Sequence, residues 1–507
     1  MGTGRNVAAG FVGATWNALL SLAVVPLYLR YLGHEAFGLV GVLVTVQGLL
    51  AVLDAGLSQT MNREMARALG TGRTATTANL LRSMEYIYWI AALIAGCALA
   101  LGSAAIAGNW LHVEALPAET VRNTLILIGA VVACRLPVGL YIGALSGAQK
   151  LTTVNAVNVV AATLRSFGGV WLAAASGSVE FLMAWHAVAG LLHALTLRTM
   201  AWRIPGKETP RRFDKAALSS VAAFGWGSAL ITLLGIALTQ TDKILLSRML
   251  SLADFGYYTM AGSAAGMLYL VAGPLFSAVF PHFSSLVASN RSSQLAHNYR
   301  LGSCAVAGVL FPGAAVLVVF SEYLIRLWTG DAVIAEKLGP TLAWMSVGYA
   351  INGVMYLPYA LQLAFGNTRL PLAIAAIVAI IALPLTVLLT VKLGMVGGAL
   401  AGAVTNVIYL FLGAWLTHRY ILTGLAPRWL AIDIGKPLVI SAAVGGIAWV
   451  LGASRLPGLL PLGAAVLTGA VVIGVILITS SDLRALAARF ADTRLSRRRF
   501  DESWPGL

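Results

Sequence analysis

The chain has 507 residues, 59% of them hydrophobic and 10% charged, with a mean hydropathy of +0.84 and a formal net charge of +15. Ordinary soluble domains carry about 25% charged residues, so these values exclude a water-soluble globular protein and leave a polytopic helical membrane protein. Its three cysteines, Cys97, Cys134 and Cys304, all fall inside apolar runs and supply neither a disulfide framework nor a metal-ligand spacing.

Apolar runs of about 20 residues, each able to cross a hydrocarbon core of about 30 Å as a helix, recur along nearly the whole chain. The first, Asn6 to Leu29, is about twice the length of a signal-peptide apolar region and reads as a span. About 14 spans are expected, near 6–29, 36–57, 84–108, 121–145, 151–175, 179–200, 216–240, 255–280, 301–321, 338–362, 371–391, 394–417, 433–451 and 459–479. With the N-terminus inside, roughly 24 basic residues fall in cytoplasmic segments and about 8 outside, as the positive-inside rule requires. Arg63, Arg67, Arg73 and Arg82 lie in one such loop, Ser58 to Ser83. Both termini are therefore expected in the cytoplasm. The same bias, with contact to anionic membrane lipids, accounts for the net charge without nucleic acid. In the tail 481–507, Leu483, Leu486 and Phe490 share a helical face among arginines, the pattern of a membrane-surface helix.

One short junction is written twice. PLYLRYLGHEAFGLVGV, from Pro26, and ILLSRMLSLADFGYYTMAG, from Ile244, align at one offset with Arg30 on Arg248, Leu32 on Leu250, Phe37 on Phe255 and Gly38 on Gly256. The copies follow spans one and seven, and an even separation preserves orientation. Two parallel six-helix lobes around a central cavity are the expected architecture. The lobes are 1–200 and 216–420, joined by a basic linker at 201–215 and followed by two further spans in 421–480. Gly394, Gly398 and Gly402 have small-xxx-small spacing, expected to mark close helix packing.

These stretches, with LDAGLSQTMNREMARALG from Leu53 and TQTDKILLSRMLSLADFGYYTMA from Thr239, resemble the polysaccharide-biosynthesis flippases. These are the Wzx-type branch of the multidrug/oligosaccharidyl-lipid/polysaccharide exporter superfamily. The shared features are an LG-x-x-x-FG turn after span one, a D-x-G-L-S run closing span two, and a T-D-K-I-L run in span seven. His34 stands where many relatives have proline, which alters the turn rather than the transport chemistry. The resemblance implies that spans one, two, seven and eight line the cavity. It also implies a cargo, an undecaprenyl-pyrophosphate-linked oligosaccharide turned from the cytoplasmic to the periplasmic leaflet of the bacterial inner membrane. Polymerase and chain-length proteins of the same pathway would be partners.

A pyrophosphate crossing hydrocarbon needs positive partners, and the residues offer them. Arg135 and Arg165 lie within spans, where an arginine costs about 2.5–3.5 kcal/mol; facing an aqueous cavity, or pairing with another span, offsets that cost. Lys243 and Asp242 are adjacent on a helix and are expected to point about 100° apart, each toward a different partner. Asp242 and Asp54 are coupling or gating candidates, with a structural role as the alternative. Arg63 closes span two on the cytoplasmic side. Arg30 and Arg248 are matched external positions, at a cavity mouth or as headgroup anchors. His186 and His193, seven residues apart, share a face of span six.

No Gly-x-x-x-x-Gly-Lys-[Ser/Thr] loop is present, which argues against P-loop nucleotide hydrolysis. No cofactor is expected; the membrane potential, or H+ or Na+ entry, would drive transport. Two other functions compete. A multidrug cation antiporter of the same superfamily usually carries an acid in its first span, and Asn6 to Leu29 has none. A membrane-embedded glycan polymerase or glycosyltransferase needs a catalytic constellation, generally on a large external loop, and the longest external segments run to only about 15 residues.

Overall fold

The computed structural model describes residues 2–54, 57–71, 74–204, 212–367, 369–481 and 483–484. The expected surface helix of the tail lies, from residue 485 onward, outside them, as do residues 205–211 of the linker. The fold is all-helical, as a chain must be where lipid offers no partner to an unpaired backbone N–H or C=O. Among the described residues nine helices are long and apolar enough to cross a membrane. Large apolar side chains such as Leu101, Trp171, Ile380 and Val450 remain exposed on their flanks, the surface that lipid would cover.

The chain divides into two compact units, one of Ala8–Met260 and the other of the residues from Ala261 together with Met1–Val7. The N-terminal unit contains α1 (Gly2–Leu32) from Ala8 onward, α2 (His34–Asp54), α3 (Leu57–Thr71), α4 (Thr74–Asn109), α5 (Ala118–Arg135), α6 (Val138–Gly147), α7 (Leu151–Ser176), α8 (Val179–Ala201), α9 (Lys215–Met249) and the first part of α10 (Leu252–Ala265). Thus α9 and most of α10, which the sequence reading assigns to the second lobe, pack in this unit.

Local chemistry sets the breaks. Gly33 joins α1 to α2 at φ +87°, a conformation that side chains with a Cβ rarely adopt. Pro137 separates α5 from α6 within one expected span, because its ring removes a backbone donor. The segment read as the loop Ser58 to Ser83 is instead largely helical. In α3, Met61, Met65 and Ala68 recur at helical spacing and are buried, while Arg63 and Arg67 face outward. Its partner is α6, which comes close through glycines: a Cβ on Gly143 would lie 2.2 Å from the Ser58 carbonyl oxygen, and one on Gly147 2.2 Å from that of Asn62. Tyr88, Leu140, Tyr141 and Ala144 complete this apolar core.

The C-terminal unit continues through α11 (Tyr269–Ala288), α12 (Ser292–Val319), the short amphipathic α13 (Ser321–Thr329), α14 (Ala332–Val354), α15 (Tyr356–Ala364) and α16 (Arg369–Tyr420). Next, α17 (Ala426–Arg428) runs through a π-helical turn, Trp429–Gly435, into α18 (Lys436–Val450), and α19 (Leu460–Thr479) follows. Its core gathers Phe283, Tyr299, Leu310, Val354, Leu361 and Trp429. The 52 residues of α16 are two arms meeting at Gly394, whose φ of 58° and ψ of −132° are not helical. This corrects the reading of the Gly394, Gly398, Gly402 stripe. Gly394 is the turn, and both Gly394 and Gly402 face open space. Close packing occurs instead at Gly397, where a Cβ would sit 1.9 Å from the Leu389 carbonyl oxygen, and at Gly348, where one would sit 3.1 Å from the Ala403 Cα.

Candidate functional site

The polar interior of the N-terminal unit is assembled from α1, α2, α5, α7 and α8. Helix α7 lies along α1: Trp16 Nε1 donates to Thr163 Oγ1 at 2.8 Å, and Gly169 admits the Tyr28 hydroxyl, which a Cβ would approach to 2.6 Å. Helix α8 closes on α5 at Gly190, where a Cβ would meet the Arg135 side chain at 2.7 Å, and on α7 at Gly168, which receives the Trp185 ring.

Within this frame Arg135, at the end of α5, donates from Nη1 to Gln47 Oε1 at 3.0 Å. Arg165 is half-buried on α7, and its guanidinium has no hydrogen bond or ion pair to another described residue. The two arginines act electrostatically on each other and on His186 and His193 of α8, which places all four in one region. Among the described residues no carboxylate pairs with either arginine. His193 Nε2 is 3.0 Å from Asn158 Oδ1. Gln47 Nε2 and His186 Nε2 are buried without a hydrogen-bond partner among the described residues. Buried polar atoms are nearly always satisfied, so the orphans Gln47 Nε2 and His186 Nε2, beside two cations that no described carboxylate neutralises, mark this polar interior as a chamber suited to an anionic guest.

The repeated junction has a direct structural meaning: its two copies pack on each other. A Cβ on Gly256 would lie 2.9 Å from the Gly38 Cα, and one on Gly38 would lie 2.0 Å from the Leu252 carbonyl oxygen. Along the same pair of helices, Gly41 faces Thr259 Oγ1 at 2.7 Å. Phe37 and Phe255 are both buried beside the contact. The loop after α4 locks onto it. Leu252 N–H donates to the His112 carbonyl at 2.9 Å, and the Glu35 carboxylate accepts from the N–H groups of Glu114, Ala115 and Leu116 at 2.5, 2.7 and 2.7 Å. His34 meets the Tyr257 ring edge to face at 5.9 Å.

The remaining candidates lie elsewhere, and neither chamber arginine is bonded to any of them. Arg30 and Arg248 are exposed, the former 5.8 Å from the Tyr31 ring and the latter 5.4 Å over Trp110. Arg63 is on the exposed face of α3, 3.9 Å from Glu64. Asp242 and Lys243 each find a separate partner and also meet one another: Lys243 Nζ lies 3.5 Å from Asp242 Oδ1. The long lysine stem folds back along the helix so that Nζ also donates to the Thr239 carbonyl at 2.6 Å, and Tyr258 donates to Asp242 Oδ2 at 2.5 Å. Asp54 accepts from Ser58 Oγ at 2.6 Å and from the Tyr88 hydroxyl.

The sequence reading missed one charged node. Glu85, only 3% exposed, receives Arg198 Nε at 2.5 Å, Arg82 Nη1 at 2.9 Å, the Tyr141 hydroxyl at 2.7 Å and Trp202 Nε1 at 3.3 Å, tying α4, α6 and α8 together. A lone acid three residues after Arg82 at the edge of an apolar run was the available signal. Among the described residues no three His, Cys, Asp or Glu side chains group as a metal site.

The polysaccharide biosynthesis protein family matches residues 3–287, and the lipid II flippase MurJ family matches residues 211–470. The "Putative O-antigen transporter" of Shigella flexneri is 18% identical over 421 residues, covering 82% of this chain and 97% of that protein. Among solved structures, lipid II flippase MurJ in an inward closed conformation superposes with a TM-score of 0.71 at 13% identity, covering 93% of this chain and 98% of that one. An inward-facing multidrug resistance MATE family transporter of the MOP superfamily gives 0.64 at 15% identity, covering 80% and 96%. With over half its length matched and the fold shared, the chain belongs to the polysaccharide biosynthesis protein family, the Wzx-type flippase branch of the MOP superfamily.

Proposed function

We propose that this protein is a flippase that carries an undecaprenyl-pyrophosphate-linked oligosaccharide from the cytoplasmic to the periplasmic leaflet by alternating access. The observation that carries this reading is the chamber around Arg135 and Arg165, two cations within spans that no carboxylate among the described residues neutralises. A diphosphate supplies the missing charge, and charge-assisted hydrogen bonds from arginine to phosphate are among the strongest available. An organic cation would meet repulsion there, which separates this reading from a drug antiporter.

In this scheme the paired junctions form the periplasmic gate, closed by Gly38 on Gly256. The cargo enters from the cytoplasmic side, its phosphates displace water from Arg165 and Arg135, and separation of α2 from α9 and α10 opens the outer path. The inside-negative potential favours outward movement of negative charge by about 2.3 kcal/mol per charge per 100 mV.

The test is binding of an undecaprenyl-pyrophosphate oligosaccharide to the purified protein, measured beside organic-cation drugs, for wild type, Arg135→Glu and Arg165→Glu. Lipid-oligosaccharide binding lost in both variants supports the reading. Binding of cations instead, or lipid-oligosaccharide binding indifferent to both arginines, overturns it.

A further inference from the structure

A second basic site lies in the C-terminal unit. Between α12, the π-helical turn, α18 and α19 is a cavity of about 160 Å³, space for about five water molecules. Among the described residues three cationic side chains line it, Arg300, Arg428 and Lys436, against one carboxylate, that of Asp433. That carboxylate is already committed. Arg300 grips it with both arms, Nε to Oδ2 at 2.8 Å and Nη2 to Oδ1 at 2.9 Å, and Asp433 is buried.

The surplus charge therefore belongs to Arg428 and Lys436. Arg428 is exposed and has no hydrogen bond or ion pair to another described residue. Among the described residues Lys436 Nζ donates once, to the Thr479 carbonyl at 2.6 Å, which uses one of its three protons. Ser480 adds a hydroxyl to the same wall, while Leu301 and Ile440 make another part of the lining apolar. Arg300, Arg428, Lys436 and Ser480 come from three separate segments, and the positive-inside reading puts every one of these helix ends on the same membrane face, the cytoplasmic one. A cationic pocket with an apolar wall at that depth matches a phosphodiester headgroup joined to its glycerol stem better than it matches a fully water-soluble anion.

We infer that this cavity is a binding site for the phosphate headgroup of an anionic phospholipid, distinct from the cargo chamber. It anchors α18 and α19 to α12 through a lipid of the cytoplasmic leaflet.

The experiment uses the full chain in a neutral detergent. Short-chain phosphatidylglycerol, short-chain phosphatidylcholine and inorganic phosphate are titrated separately against wild type, Arg428→Gln, Lys436→Gln and Ser481→Asp. Ser481 is an exposed lining residue and Arg428 is exposed, so both variants are expected to elute as wild type on size exclusion. Phosphatidylglycerol should bind more tightly than phosphatidylcholine. Each lost cation should weaken it about fivefold, and Ser481→Asp should weaken it at least as much. Inorganic phosphate binding with the same sensitivity to the three substitutions would keep the phosphate site and reassign its source to a soluble anion. Equal binding of the two lipids without phosphate binding, or isotherms that the three substitutions leave unchanged, would overturn the inference.

Discussion

Substituting Gly38 with alanine tests the proposed gate at its tightest point. The new Cβ would stand 2.0 Å from the Leu252 carbonyl oxygen, where ordinary contact begins at 3.4 Å. The obstacle is backbone, so no rotamer change relieves it, and α2 must retreat from α10 by more than 1 Å on the order of a methyl radius. Overpacking of this kind costs about 1–3 kcal/mol. A penalty of about 2 kcal/mol confined to the closed arrangement changes the closed-to-open ratio by a factor of about 30. Nitroxide labels at Tyr31 and Met249, both exposed, would report the separation of the two junctions by pulsed dipolar spectroscopy in nanodiscs. The background would have Cys97, Cys134 and Cys304 replaced by serine. Gly38→Ala should add a long-distance population that wild type lacks, and Gly256→Ala should reproduce it. A distance distribution unchanged in both variants would refute the reasoning, because the contact could then not be what holds the junctions closed.

Other predictions address the chamber and the supports around it. Arg165→Gln should weaken binding of the lipid-linked oligosaccharide by about tenfold or more with normal membrane insertion, read from binding isotherms and membrane-fraction immunoblots. Glu85→Gln leaves Arg82 and Arg198 without their shared anion. Both arginines are about one-third exposed, 32% and 37%, so the loss should fall near the low end for a broken buried pair, about 3 kcal/mol, visible as a lower midpoint in thermal unfolding followed by tryptophan fluorescence. Glu35→Ala removes the acceptor for three consecutive N–H groups, and amide exchange at Glu114, Ala115 and Leu116 should accelerate while that of α4 does not.

The sequence made the solvent, the helical class and the pair of intraspan arginines legible, since each is a matter of one-dimensional composition. A charge inside an apolar run is visible without knowing what surrounds it, and the structure brings Arg135 and Arg165 into one region. What surrounds them was not visible: Gln47 and Asn158 are neutral amides with no periodic signature, and only the packing of α2, α5, α7 and α8 brings them to these charges. The repeated junction was legible as a repeat but not as a contact, because similarity between two segments carries no information that they touch. Asp242 and Lys243 show the limit of helical-wheel reasoning. The wheel fixes Cβ directions, whereas a four-carbon lysine stem reaches around the helix to its neighbour.

The turn at Gly394 bears on how the chain enters the membrane. Its two arms belong to one 52-residue element with no loop between them, and Gly397 presses one arm against the backbone of the other at Leu389. Lys392 is the sole charged residue at this bend. With almost nothing polar to draw across the bilayer and no slack between the arms, the two crossings are expected to leave the translocation machinery together, as one hairpin. Lengthening the bend by even a few polar residues would split one insertion event into two.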